Sequence, residues 1–135
     1  MKEMTLEVVT PSKLVFNGKI TSITVPGTLG SFQVLFNHAP IISTLEIGIV
    51  QIVDTENKIM KYSTSGGTIE VLNNKIIVLA ESFEKPEEIN LDRAKQALER
   101  AKNRLAIGNK EKIDSVRAEA SLQRAMNRIK FVQKV

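Results

Sequence analysis

Hydrophobic positions along the chain change their period near residue 86. Before it, apolar residues fall in short Thr/Val/Ile-rich runs: Leu6 and Val8, then Ile20, Ile23 and Val25. Turn signals at Pro11-Ser12, Asn17-Gly18 and Pro26-Gly27 bound these runs, which is how half-buried strands read. Ile49-Val50-Gln51-Ile52-Val53 and Ile59-Met60-Lys61-Tyr62-Ser63 flank the polar Asp54-Thr55-Glu56-Asn57 and predict a hairpin. Thr68-Ile69-Glu70-Val71-Leu72 and Lys75-Ile76-Ile77-Val78-Leu79 flank Asn73-Asn74 and predict a tighter one, because asparagine tolerates the left-handed backbone that a two-residue turn demands. Short strands with turns at this spacing predict an antiparallel sandwich or barrel.

After Pro86 the spacing becomes helical. Ala94, Ala97, Leu98, Ala101 and Leu105 line one face of a first helix, with Asn90 as its N-cap. Gly108-Asn109 supplies a stop and the next N-cap. A second helix is predicted from about Lys110 towards Val132, with Ile113, Val116, Ala120, Leu122, Ala125, Met126, Ile129 and Val132 as its apolar set. So short a joint makes the two helices antiparallel neighbours, and their alanines permit close approach. A hairpin of this size buries little by itself, which makes it a candidate moving part.

Composition sharpens the division. All four prolines, six of the seven glycines and five of the six aromatics precede residue 87. Residues 1–85 carry 7 basic and 8 acidic side chains; residues 86–135 carry 12 and 7. The formal charge of +4 is therefore a near-neutral β unit joined to a basic helical one, and the boundary expected is 1–85 against 86–135. Zero cysteine excludes disulfides, thiolate zinc and cysteine nucleophiles. No apolar run approaches the ~20 residues of a membrane span, and Met1-Lys2-Glu3-Met4-Thr5 lacks the layout of a secretory signal.

Catalytic motifs are missing: no P-loop, no dinucleotide fingerprint, no His-Glu-x-x-His and no Gly-x-Ser-x-Gly. Ser65-Gly66-Gly67-Thr68 reads as a loop with strained backbone, and His38, the one histidine, as a loop imidazole bonded to backbone. These features argue against a hydrolase and against a metal site, and for a binding or structural β module. Arginines form the one electrostatic pattern. Arg93, Arg100 and Arg104 stand at i, i+7 and i+11, and Arg117, Arg124 and Arg128 repeat that spacing. The planar guanidinium suits bidentate binding of phosphate or carboxylate. Two stripes could hold a polyphosphate or an acidic partner surface, or they could be solvated faces with local charge pairs. A basic nucleic-acid-binding module is the alternative; the slightly acidic β half and its few aromatics weigh against it.

The stretch Val25-Pro26-Gly27-Thr28-Leu29-Gly30-Ser31-Phe32-Gln33-Val34-Leu35-Phe36-Asn37-His38-Ala39-Pro40, with Leu45-Glu46-Ile47-Gly48 after it, resembles the epsilon-subunit family of bacterial F-type ATP synthases. Ile89-Asn90-Leu91-Asp92-Arg93-Ala94-Lys95 and Arg124-Ala125-Met126-Asn127-Arg128 look like that family's two helical signatures, so the resemblance covers essentially the whole chain. It implies an N-terminal antiparallel β-sandwich of about ten strands followed by a C-terminal antiparallel two-helix hairpin. It further implies a non-catalytic central-stalk (rotor) subunit that couples proton translocation to ATP synthesis. The implied partners are the gamma subunit, the c-subunit ring and the catalytic beta and alpha subunits, with no nucleic acid. Such a subunit sits peripherally on the cytoplasmic face of the bacterial inner membrane, and the hairpin, extended along gamma, restrains ATP hydrolysis.

The resemblance also carries site residues. In some relatives a folded-down hairpin binds ATP as a regulatory ligand, no cofactor being required; the matching positions here are Glu84, Ile89, Asn90, Arg93, Ala94, Arg100, Arg124 and Arg128. Asn90 departs from the family's usual Asp: it keeps the capping acceptor, adds a donor and loses the charge. Gly30, Ser31, Phe32 and His38 match a partner-binding loop facing ring and gamma, with Ser31 where some relatives place an acidic residue.

Overall fold

The computed structural model describes residues 2–106 and 112–133, with side chains described everywhere in these except 112–114. Two compact units divide the chain, Met1–Lys85 and Pro86–Val135.

Among the described residues the first unit holds nine strands: β1 (Met4–Val9), β2 (Leu14–Gly27), β3 (Gly30–Val34), β4 (Ile41–Leu45), β5 (Gly48–Asp54), β6 (Ile59–Thr64), β7 (Gly67–Leu72), β8 (Lys75–Ala80) and β9 (Phe83–Glu84). Strand neighbours run β1-β8-β7-β4-β2-β5-β6-β9, with β3 on β2 and a further β1–β2 pairing. The 14-residue β2 links the two layers. Its first half pairs with β1, while its second half lies between β5 and β3. The register of the β2–β5 ladder shifts between Ile20 and Ser22, the kind of irregularity that lets a long strand bend.

Period-two alternation sets the core. Leu6 and Val8 of β1, Ile20, Ile23 and Val25 of β2, Val50 and Ile52 of β5, Ile69 of β7 and Ile76 and Val78 of β8 are fully buried. Tyr62 stacks on Phe83 at 4.5 Å between ring centroids. In β6 the alternation fails: Tyr62, Ser63 and Thr64 are all buried, because β9 pairs along the end of that strand. Thr64 Oγ1 is not orphaned there, since it accepts the Gly66 N–H at 3.2 Å.

The turn expectations meet two outcomes. Asn73 and Asn74 take φ of 50° and 62° between β7 and β8, the primed two-residue turn. Gly66 and Gly67 take φ of 111° and 153°. A Cβ on Gly67 would stand 2.0 Å from the Leu79 carbonyl oxygen, so strand β7 begins where only glycine fits. Asn17-Gly18, expected to bound strands, instead lies inside β2. Pairing of Glu7 with Asn17 and Leu6 with Gly18 carries the strand through, and tertiary pairing overrides the local turn preference. Gly30–Val34 and Ile41–Leu45 are strands hidden in what reads as loop. One ladder departs from the antiparallel expectation: β1 runs parallel to β8.

The second unit opens with a 3-10 turn, Pro86–Glu88, followed by α1 (Leu91–Ala106) and α2 (Lys112–Gln133), which pack along each other. The Gly108-Asn109 joint and the Ile113 side chain lie outside the described residues. In α1 the expected face is the buried one, with Ala94 and Ala101 at its centre. In α2 the expected apolar set is corrected: Val116 is 66% exposed and Met126 39%, while Ala118, Ala125 and Phe131 are buried. The seam is the 3-4 series Ala118, Leu122, Ala125, Ile129, Val132, matching Leu91, Ala94, Leu98, Ala101, Leu105 on α1. Val116 and Met126 are apolar but rotated off that seam.

Candidate functional site

Helix geometry gathers the arginines. At 3.6 residues per turn, the Arg93, Arg100 and Arg104 stripe lies about a quarter turn from the Ala94/Ala101 seam. The stripe of Arg117, Arg124 and Arg128 lies about a quarter turn from the Ala118/Ala125 seam, in the same rotational sense. Antiparallel helices facing each other across those seams therefore present all six guanidinium stems on one side of the hairpin. Lys95, Lys102, Asp92 and Glu99 of α1 and Glu119, Gln123 and Lys130 of α2 occupy the other side, a mixed surface where Gln123 Nε2 donates to Glu119 Oε1 at 3.1 Å. Arg93, Arg100, Arg104 and Arg117 are exposed, and Arg124 and Arg128 are half-buried. Arg124 Nη2 donates to Ser121 Oγ at 3.1 Å, which fixes its stem along the helix.

Asn90 is the N-cap of α1. Its Oδ1 accepts the Arg93 N–H at 3.0 Å and its carbonyl accepts the Ala94 N–H at 3.0 Å. Ile89 N–H donates to the Pro86 carbonyl at 3.2 Å, so the 3-10 turn delivers the chain to this cap. Of the expected nucleotide residues, Ile89, Asn90, Arg93, Ala94, Arg100, Arg124 and Arg128 belong to the helical unit and Glu84 to the β unit, in β9. Ala94 is buried in the helix seam, so its place in a site is to let the helices approach.

The four expected partner-binding residues do not form one loop. Gly30, Ser31 and Phe32 belong to β3, paired with Gly27, Pro26 and Val25 of β2. His38 lies past the other end of β3, which at ~3.3 Å per residue is more than ~13 Å away along the strand. The Phe32 ring packs inward, its Cε1 standing 2.7 Å from where a Gly27 Cβ would be. The apolar residue presented at the hairpin tip is instead Leu29, which is fully exposed. At the far end, Leu35–His38 forms a turn closed by the His38 N–H to the Leu35 carbonyl at 3.1 Å, and His38 Nδ1 donates to the Ala39 carbonyl at 2.7 Å. Leu35 and Phe36 are exposed beside it. Leu29, Leu35 and Phe36 escape a sequence reading because an apolar residue in a turn looks like a frayed strand end.

Among the described residues no cluster of three or more His, Asp or Glu is placed to hold a metal ion, and no helix is long and apolar enough to cross a membrane.

Comparison with known proteins gives one consistent picture. Residues 3–86 match the family described as ATP synthase, Delta/Epsilon chain, beta-sandwich domain, and residues 87–133 match its long alpha-helix domain. The ATP synthase epsilon chain of Carboxydothermus hydrogenoformans is 46% identical over 101 residues, covering 75% of either chain. That of Nitratidesulfovibrio vulgaris is 45% identical over 113 residues, covering 84% of this chain and 83% of the relative. Among solved structures, a chain of the Euglena gracilis mitochondrial ATP synthase (OSCP/F1/c-ring) has a TM-score of 0.80 at 19% identity, covering 94% of this chain and 79% of that one. A chain of the Tetrahymena thermophila mitochondrial ATP synthase central stalk and c-ring has a TM-score of 0.69 at 15% identity, with 98% and 97% covered. Family models matching residues 3–86 and 87–133 and relatives 45–46% identical agree over both units, and the chain belongs to the ATP synthase delta/epsilon chain family.

Proposed function

We propose that this chain is the non-catalytic epsilon subunit of a bacterial F-type ATP synthase, seated in the central stalk. In this reading the β unit joins the gamma subunit to the c-subunit ring, so that ion flow through the ring turns the stalk. The protein is peripheral, held at the cytoplasmic face of the membrane through the complex. The observation that carries the reading is the match of two successive family domains over residues 3–133, in relatives that bear the name ATP synthase epsilon chain. The hairpin-tip residues Gly30 and Ser31, with Leu29, and the His38 turn with Leu35 and Phe36 are the contact regions. Phe32 supports the tip from behind.

The helical unit is the regulatory arm in this reading. Its arginine side meets acidic surface on a catalytic subunit and so restrains hydrolysis; the same side also takes ATP. Six arginines on one side of a hairpin, against mixed charge on the other, are what support this. Arg93 and Arg128 lie toward the end where Asn90 caps α1, with Arg124 about one turn and Arg100 about two turns further from it, so the triphosphate belongs at that end. A nucleic-acid module has less support: of the six aromatics only Phe36 is exposed, so stacked bases would find no platform. Calorimetry with the purified chain tests the nucleotide site. Saturable heat with ATP is the expected result, and silence at millimolar ATP removes that site while leaving the stalk assignment in place.

A further inference from the structure

The turn that carries His38 is fastened to another turn 37 residues away in sequence. Asn37, third residue of the Leu35–His38 turn, takes φ of 64°. A positive φ at this position alone is the mark of a type II turn, where glycine is the ordinary occupant. Asn37 is held there by a pair of bonds to one carboxamide. Its N–H donates to Asn74 Oδ1 at 2.7 Å, and its own Oδ1 accepts from Asn74 Nδ2 at 3.1 Å. One bond fixes the backbone and the other the side chain.

Asn74 is itself firmly placed. It is the second residue of the β7–β8 turn, with φ of 62°, and its carbonyl accepts the Thr5 N–H from the start of β1 at 3.0 Å. Two residues on, Ile76 is fully buried. The carboxamide therefore reaches from a core-anchored hairpin to a surface turn that presents Leu35, 51% exposed, and Phe36, 37% exposed. A free loop would have to be ordered on docking, whereas a clamped one has already lost that freedom.

We propose that Asn74 is a positioning residue for docking: its side chain holds the Leu35–His38 turn in the conformation that meets the stalk and ring. This rests on the reading that the turn is a contact region. Asn74→Gly is the discriminating variant, because Asn-Gly is a favoured sequence for the primed turn at 73–74. It keeps the hairpin and deletes the clamp. Asn74→Asp is the rescue, since a carboxylate oxygen still accepts the Asn37 N–H and a flipped Asn37 amide can donate to the other oxygen.

Amide hydrogen exchange on the full-length protein should show the Asn37 N–H exchanging about fivefold to tenfold faster in Asn74→Gly, the range for loss of one such bond, with Val71 and Val78 unchanged. Asn74→Asp should stay within about twofold of the parent. Affinity for a gamma subunit–c-ring subassembly should fall by a similar factor in Asn74→Gly and recover in Asn74→Asp. Equal Asn37 exchange in parent and Asn74→Gly overturns the proposal, as does a parent and a glycine variant that bind the subassembly equally well. A parent that does not bind at all instead removes the docking reading beneath it.

Discussion

Asn90 commits both of its oxygens to α1, Oδ1 to the Arg93 N–H and the carbonyl to the Ala94 N–H. Its Nδ2 is the one group left to turn outward, a donor where an aspartate would offer a second acceptor. Asn90→Ala should cost about 1 kcal/mol of helix stability. Asn90→Asp should add about 0.5 kcal/mol, since a carboxylate favours the positive end of the helix. Thermal melts of the helical signal read both. Substitution of Arg124 and Arg128 together by Ala should remove ATP binding measured by calorimetry while the β unit melts unchanged; retained binding would place the phosphates elsewhere. Legibility at this scale followed how local the cause was. The Asn73-Asn74 turn, the Asn90 cap and the backbone-bonded His38 could be read because each is decided within about four residues. Asn17-Gly18 and Asn37 could not, because a partner strand decides one and Asn74 decides the other.

At the scale of elements, alanine seams hold the hairpin. Ala94 and Ala101 on α1 and Ala118 and Ala125 on α2 are all buried, so the helices meet through small side chains. Ala101→Leu or Ala125→Leu should therefore overpack the seam and destabilise the hairpin by about 1–3 kcal/mol. Val116→Thr and Met126→Gln, both off the seam, should stay within about 0.5 kcal/mol. Chemical denaturation followed at the helical signal separates the two classes; equal effects would mean the seam is drawn wrongly. The α1 face was legible because its apolar residues follow one stripe. The α2 face was not, since its apolar residues surround more of the helix and no spacing alone chooses among them. In the β unit, Gly67→Ala should cost about 3 kcal/mol or more, because the added methyl meets the Leu79 carbonyl and cannot be moved aside.

The whole molecule joins two units with different sources of stability. The β unit owns a continuous core from Met4 to Phe83, whereas the helical unit buries chiefly alanines and Phe131. Residues 1–85 should thus fold alone, with a cooperative melt and the dispersed amide spectrum of a sandwich. Under the proposed function they should also still enter the synthase while relieving restraint on hydrolysis. The charge division, 7 basic against 8 acidic and then 12 against 7, runs along the same joint. It was readable because composition needs no contacts. The sandwich's β3 and β4 were not, since short strands between turns look like one long loop until their partners are known.

Purifying the synthase through an affinity tag on the c-ring, and asking what accompanies it, decides whether this chain is a stalk subunit. This chain should accompany gamma and the ring, and should be lost when Leu29 and Phe36, both exposed, are replaced by Asp. A complete gamma–ring assembly that lacks this chain would contradict that assignment.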